Sequence, residues 1–317
     1  MPASLRAAVN AGADSVYLGF RDETNARNFP GLNFSRSELS DGVAYAHQHG
    51  VKVLVAINTF PKAGNPDPWH LAVDDAAACG ADALILADIG LLAYTAEFHP
   101  DLRRHLSVQA SASNVEAIGF YHREFGVKRV VLPRVLTIQE IAALNADIAV
   151  ETEVFVFGGL CVMAEGRCTL SSYVTGQSPN MNGVCSPASH VRYEERDGRM
   201  ISKLGDITIN AFDEDEPAGY PTLCKGRFAV NGNISYLFED PTSLNAIEIL
   251  AGLSDAGVTA LKIEGRQRSR AYVTEVVSAF RRALDAVDRG ETPPAMDLSA
   301  VTEGGQETEG AYKKAWR

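Results

Sequence analysis

A (β/α)8 barrel that lacks its first strand is the fold this α/β sequence predicts, and three observations carry it. A helix-like segment ends at a glycine, and a short β-branched apolar run begins within three residues. This pattern recurs as AAVNAGADSVYLGF, AYAHQHGVKVLVAIN, AAACGADALILAD, REFGVKRVVLPR and LSDAGVTALKIEG. The apolar runs are continuous rather than alternating, as in parallel strands covered on both faces. No glycine-rich dinucleotide fingerprint follows any of them, which disfavours the open doubly wound sheet.

The elements follow in order. The first helix closes at Gly12, because glycine adopts the left-handed conformation that ends a helix, and Val16–Gly19 is the strand after it. Gly50 and Gly80 play the same part before the strands Val53–Asn58 and Leu84–Ala87. Leu106–Gln109, Val130–Leu132, Glu153–Phe157 and Ala260–Glu264 complete seven, and Ala271 to Arg289 reads as an amphipathic closing helix. The chain opens on a helix where a strand should precede it. One absent first strand makes the eight of the barrel, with its gap expected between Val16–Gly19 and Ala260–Glu264.

About 100 residues separate Phe157 from Ala260, far more than a βα crossover needs. The barrel is therefore assigned to residues 1–157 and 256–289, a cysteine-rich insertion to 158–255, and a tail to 290–317. Ile207–Asn210 and Ser235–Leu237 look like strands of a small β-rich insertion. It leaves the barrel at the C-terminal end of a strand, the face where barrel active sites sit. The tail ends in GAYKKAW, aromatic enough to dock.

Composition narrows the function. The chain of 317 residues is 46% hydrophobic and 22% charged, enough to bury a core. Forty acidic against 29 basic residues leave a net charge of −11, which argues against a general nucleic-acid binder. The most apolar stretch, Ala83 to Tyr94, is broken by Asp88, so no transmembrane helix is expected. The N-terminus has no apolar signal core, and a cytoplasmic protein is expected.

Four of the five cysteines, Cys161, Cys168, Cys185 and Cys224, fall in the insertion at spacings of 7, 17 and 39. Cys79, in a helix end, reads as a small buried hydrophobe. Structural zinc usually takes a closely spaced pair, and no pair here is closer than seven. Four thiolates from separated loops also suit an iron–sulfur cluster. Spacing alone leaves both metals open.

Residues just past the strand ends should line the mouth of the barrel. These are Asn25, Arg27, Asn58, Asp88, Gln109, Ser111, Arg134, Glu264 and Arg266. Arginines facing a pocket suit a dicarboxylate, because guanidinium binds carboxylate bidentately. The competing reading is an ion pair of Glu264 with Arg134 or Arg266. The run Arg266, Arg268 and Arg270 could contact phosphate, on an otherwise acidic protein. There is no HExxH, no GxSxG and no Cys/His pairing of a nucleophile elbow, so peptidase chemistry is not expected.

The stretch GGLCVMAEGRCTLSSYVTG, with NGVCSPA and YPTLCKGR downstream, resembles the collagenase-like peptidase family. VYLGFRDETNARNFPGLNF, SVQASASN, VVLPR, PTSLN and KIEGRQRS extend the resemblance over the whole chain. Within that family the cysteine spacing is most similar to the UbiU branch, which serves oxygen-independent ubiquinone biosynthesis. The resemblance implies a [4Fe–4S] cluster on Cys161, Cys168, Cys185 and Cys224. It implies a heterodimer with a UbiV-like protein, a lipid-carrier protein that delivers a prenylated ring, hydroxylation of that ring without O2, and prephenate as oxygen donor. Other branches hydroxylate bases in tRNA and rRNA, which is the alternative function. A third possibility is a non-catalytic electron-transfer or structural partner. The family pattern begins with a strand and a Pro-Ala-Gly turn, and Met1-Pro2-Ala3 falls after it.

Overall fold

The computed structural model describes residues 1–28, 31–161, 163, 168–179, 185–216, 218–236, 238–265 and 268–313. Helices and parallel strands alternate in its first half. They are α1 (Pro2–Asn10), β1 (Ser15–Leu18), α2 (Arg36–Gln48), β2 (Lys52–Ile57), α3 (Asp67–Ala78), β3 (Ala83–Leu86), α4 (Ile89–Phe98), β4 (Arg103–Leu106), α5 (Val115–Phe125), β5 (Arg129–Val131), α6 (Ile138–Asp147) and β6 (Glu151–Gly159). Each helix has a local reason to start and stop. Ser35 with Glu38, and Thr137 with Glu140, form reciprocal capping boxes at α2 and α6. Asp88 and Asn114 cap α4 and α5. Gly12, Gly50, Gly80, Gly126 and Gly257 all have positive φ, as their place before the strands predicts.

The insertion carries α7 (Leu170–Thr175) and the antiparallel strands β7 (Val191–Arg196), β8 (Arg199–Leu204) and β9 (Ile207–Phe212), which form one sheet. A separate hairpin joins β10 (Arg227–Val230) to β11 (Asn233–Tyr236). The expected strand at Ser235–Leu237 is thus the end of β11, with Leu237 outside the described residues. The chain returns through β12 (Ser243–Asn245), α8 (Leu250–Asp255), β13 (Ala260–Ile263) and α9 (Arg270–Asp288). Because α8 already packs on α6 and α9, the helix layer resumes before residue 256.

The strands run β1-β2-β3-β4-β5-β6 in parallel, and β13 adds in parallel to β6. The sheet curls. Residues of β1 and β13, the two ends of its parallel run, line one cavity of about 490 Å³, and the Lys262 ammonium lies 3.8 Å from the Tyr17 ring centroid. No ladder joins β1 to β13 among the described residues. The gap lies where the sequence places it.

One expected strand is displaced. Leu106–Gln109 is a strand end followed by a short 3-10 turn at Val108–Ala110, and β4 itself is Arg103–Leu106. Its charged residues hide the strand from a search for apolar runs. On β2, Val53, Val55 and Ile57 face the helices, while Leu54 and Ala56 meet Tyr17, Ala83 and Ile85 on the inner face. Beyond that inner cluster the lumen is polar. Lys262 donates to Glu153 at 2.5 Å, Arg129 pairs with Glu151 and Glu153, and Arg103 donates to His105 at 2.9 Å.

Burial, with the Arg129 charge adding, pushes the His105 imidazole down to about 3. It is therefore neutral in the folded protein, whereas in the unfolded chain it binds a proton below about pH 6.5. Between those two values the unfolded state holds more protons, so stability rises with pH. Urea midpoints measured from pH 4 to 7 are expected to climb. The slope for this one group reaches about 1.4 kcal/mol per pH unit, and His105→Asn should flatten that share.

The tail is docked, as expected. β14 (Glu307–Thr308) pairs with β12, which pairs antiparallel with β6. Tyr312 is buried and donates its hydroxyl to the Phe155 carbonyl at 2.5 Å. No described helix is long and apolar enough to cross a membrane.

Candidate functional site

The C-terminal ends of the strands bring the insertion's cysteines and the mouth residues to one face. Cys161 follows directly on β6, and Cys168 precedes α7. Cys224 sits in the 3-10 turn Leu223–Lys225. Cys185 is fixed through its carbonyl, which accepts the Ser171 hydroxyl of α7. All four are free thiols.

Their electrostatics show that they are neighbours. Burial raises the Cys168 thiol, and the charge of Cys161 adds to it. Burial pushes Cys224 up to about 11, with Cys161 and Cys185 adding. Cys161 is therefore coupled to Cys168 and Cys224, and Cys224 to Cys185. The raised Cys168 and Cys224 thiols favour the protonated form, and a bound metal reverses that balance. Among the described residues no three Cys, His, Asp or Glu side chains are gathered tightly enough for a single metal ion. Four thiolates are a donor set of the kind that holds an iron–sulfur cluster.

The mouth residues fall into two groups. On one side, Asn58 accepts the Ala26 amide at 3.0 Å and reaches the Ser107 hydroxyl at 3.4 Å, which in turn accepts the Gln109 amide at 3.3 Å. Asn25 is buried; its side chain accepts the Arg27 amide and donates to the Phe20 carbonyl. A Cβ on Gly19 would lie 2.3 Å from the Asn25 amide nitrogen, so only glycine fits there. These asparagines shape the loop, and Arg27 from that loop reaches the cysteines, where its charge lowers the Cys168 thiol. Among the described residues the buried Gln109 Oε1 has no hydrogen-bond partner, and an acceptor in that state suits a bound N–H or O–H group.

On the other side, Arg134 pairs with Glu264 at 2.9 Å and stacks 3.5 Å over the Phe155 ring. The ion-pair reading of the sequence is the one the structure adopts. Asp88 caps α4 through the Leu91 amide at 3.0 Å, a structural role. Arg266 lies outside the described residues.

Two features escape sequence reasoning. Gly158, at φ +137°, lets Glu264 close on β6; a Cβ there would lie 2.7 Å from the Glu264 Cβ. Lys225, next to Cys224, is buried and bonded at 2.5 Å to Glu303 of the tail. The doubled glycine at the end of β6 and the charged tail were the available signals. Neither names its partner.

A curled parallel sheet with a cysteine-bearing insertion at its C-terminal face defines a barrel-type α/β protein. The family model of peptidase family U32 matches residues 2–315, and the chain belongs to that family. It is similar to tRNA hydroxylation protein P1 of Bacillus subtilis, with 31% identity over 89% of this chain and 60% of the relative. It is similar to tRNA hydroxylation protein P of Escherichia coli, with 31% identity over 91% of this chain and 67% of the relative. The 23S rRNA 5-hydroxycytidine C2501 synthase of Escherichia coli is 30% identical over 90% of this chain and 38% of the relative. The chain thus spans about two thirds or less of the length of these relatives.

Proposed function

We propose that this chain is the iron–sulfur subunit of an oxygen-independent hydroxylase, with a [4Fe–4S] cluster on Cys161, Cys168, Cys185 and Cys224. The supporting observation is the gathering of four cysteines at the strands' C-terminal face, where Cys161 acts on Cys168 and Cys224 and Cys185 acts on Cys224, in a chain similar to the three hydroxylation proteins described above. The cluster, when bound, supplies electron transfer or an iron that polarises a ligand. The chain's own residues bind and orient. Gln109 accepts a donor from the substrate, and Arg27 keeps positive charge beside the sulfurs. An anionic oxygen donor such as prephenate enters beside Arg134 by exchange with the Glu264 carboxylate.

The substrate we propose is the aromatic ring of a prenylated ubiquinone precursor. A lipid-carrier protein presents it, and a UbiV-like protein completes the heterodimer. Charge supports this over nucleic acid. The net charge is −11, and arginines of the mouth and insertion are paired within the chain: Arg134 with Glu264, Arg199 with Asp213 and Arg227 with Glu216. Phosphate backbones are bound by unpaired basic surface. The second reading, an RNA base, is favoured by the names of the three relatives described above, which concern tRNA or rRNA.

One experiment separates the two. Cells lacking the gene are grown without oxygen, and their quinones and RNA nucleosides are measured by mass spectrometry. Loss of ubiquinone with unchanged nucleosides is expected. Loss of a hydroxylated nucleoside with normal quinone replaces the ring by RNA.

A further inference from the structure

We infer that residues 299–312 of the tail act as a clasp, in which the Glu303 carboxylate, bonded to Lys225, positions Cys224 against the end of β6 that leads to Cys161. Lys225 and Glu303 are thus positioning residues of the thiol site. This role rests on the four-cysteine site proposed above, and not on which metal that site takes.

Glu303 stands between the two cysteine-bearing segments. One oxygen of its carboxylate bonds at 2.5 Å to the ammonium of Lys225, the residue after Cys224. A Cβ on Gly159, two residues before Cys161, would lie 3.7 Å from the same oxygen. Neutral bonds place Glu303 there. Its amide donates to the Ser243 hydroxyl at 2.8 Å, and the Ser243 amide donates to the Gln306 carbonyl at 3.0 Å. Ser243 of β12 is in register with Gly159 of β6. Farther along, the Tyr312 hydroxyl holds the Phe155 carbonyl of the same strand. The tail is therefore tied to β6 without any help from Lys225.

Buried charge makes the link to Cys224 necessary. The Lys225 side chain is 8% exposed and that of Glu303 17%. The ammonium also donates to the Thr242 carbonyl at 3.4 Å, a neutral acceptor that leaves its charge uncompensated. An unpaired buried ammonium is strongly unfavourable, so without the Glu303 charge Lys225 moves toward water. Leu223–Lys225 is a single 3-10 turn, and Lys225 cannot move without carrying Cys224 along. On its other side this turn meets α7, which begins just after Cys168. The clasp therefore sets where Cys224 stands relative to Cys161 and Cys168. Such coupling is reciprocal: whatever ties the cysteines together also holds the tail.

Thiol labelling of the metal-free protein tests this. The reduced 317-residue chain is treated with N-ethylmaleimide in the presence of a chelator, without denaturant, and each cysteine is followed by peptide mass spectrometry. Glu303→Gln should speed the labelling of Cys224 by roughly tenfold or more and leave Cys79, at the end of α3, unchanged. Adding Lys225→Met to that variant removes the stranded charge, and Cys224 should return toward its wild-type rate. A general loosening of the fold would not be rescued in this way. Wild-type labelling of Cys224 in Glu303→Gln overturns the inference. So does equal acceleration at Cys79, or a double variant that labels as fast as the single one. If Glu303→Gln does not fold, amide exchange of the wild-type chain in rising urea decides. The Leu223–Lys225 turn and β14 should lose protection in one step, and two separate steps refute the clasp. Iron and zinc analysis of untreated protein reads the metal separately, so zinc in the site would remove the cluster and leave the clasp standing.

Discussion

Protein purified without oxygen is expected to be brown and to contain about four irons per chain. Replacing Cys161, Cys168, Cys185 or Cys224 by Ala should remove most of that iron in each case, because each thiolate would supply one of the four ligands of the proposed cluster. Cys79→Ala should remove none. Cys79 ends α3, its sulfur accepts the Ser40 hydroxyl at 3.3 Å, and it packs against the helix layer. The metal-free protein should keep Cys168 and Cys224 protonated at neutral pH, since burial pushes Cys224 up to about 11 and raises Cys168. Loading therefore releases protons, and a titration in weak buffer should record them. Stoichiometric zinc without iron after anaerobic preparation contradicts the assignment.

Glu153→Gln should cost about 3–5 kcal/mol of stability in urea unfolding, because it leaves the Lys262 ammonium buried without a counter-charge. The pair bonds at 2.5 Å, and both side chains are under a tenth exposed. Burial pushes the Glu153 carboxyl up, but Lys262 and Arg129 outweigh it and hold the group ionised. The double variant Glu153→Leu with Lys262→Met should recover most of the loss, since an apolar pair of similar size avoids the desolvation cost. Breaking the exposed Arg289–Glu291 pair should leave the midpoint unchanged within error. A loss below about 1 kcal/mol for Glu153→Gln would place the pair in water.

The helix-closing glycines made most of the fold legible. Left-handed backbone at Gly12, Gly50, Gly80, Gly126 and Gly257 marks where strands begin, whatever the tertiary context. β4 was misplaced because Arg103 and His105 are luminal, and a polar lumen has meaning only once Glu151 and Glu153 are paired beside them. The cysteines were legible as a group by residue type. Their proximity was not, since α7 and the turn at Leu223–Lys225 must first pack on each other. The Lys225–Glu303 bond joins residues 78 apart in sequence, and no local pattern announces it. The mouth positions were found from the strand ends, but their roles divided. Asn25, Asn58 and Asp88 hold loops and a helix cap, while Gln109 keeps a free acceptor.

The most direct test of the account joins the thiol site to the chemistry. A strain lacking the gene is complemented, without oxygen, by the wild-type chain or by the Cys161→Ala, Cys168→Ala, Cys185→Ala and Cys224→Ala chains. The hydroxylated product is then quantified by mass spectrometry beside the amount of folded protein. The account predicts product with the wild type and none with any of the four variants at equal protein levels. Wild-type amounts of product from a chain that has lost a cysteine and its iron would contradict it.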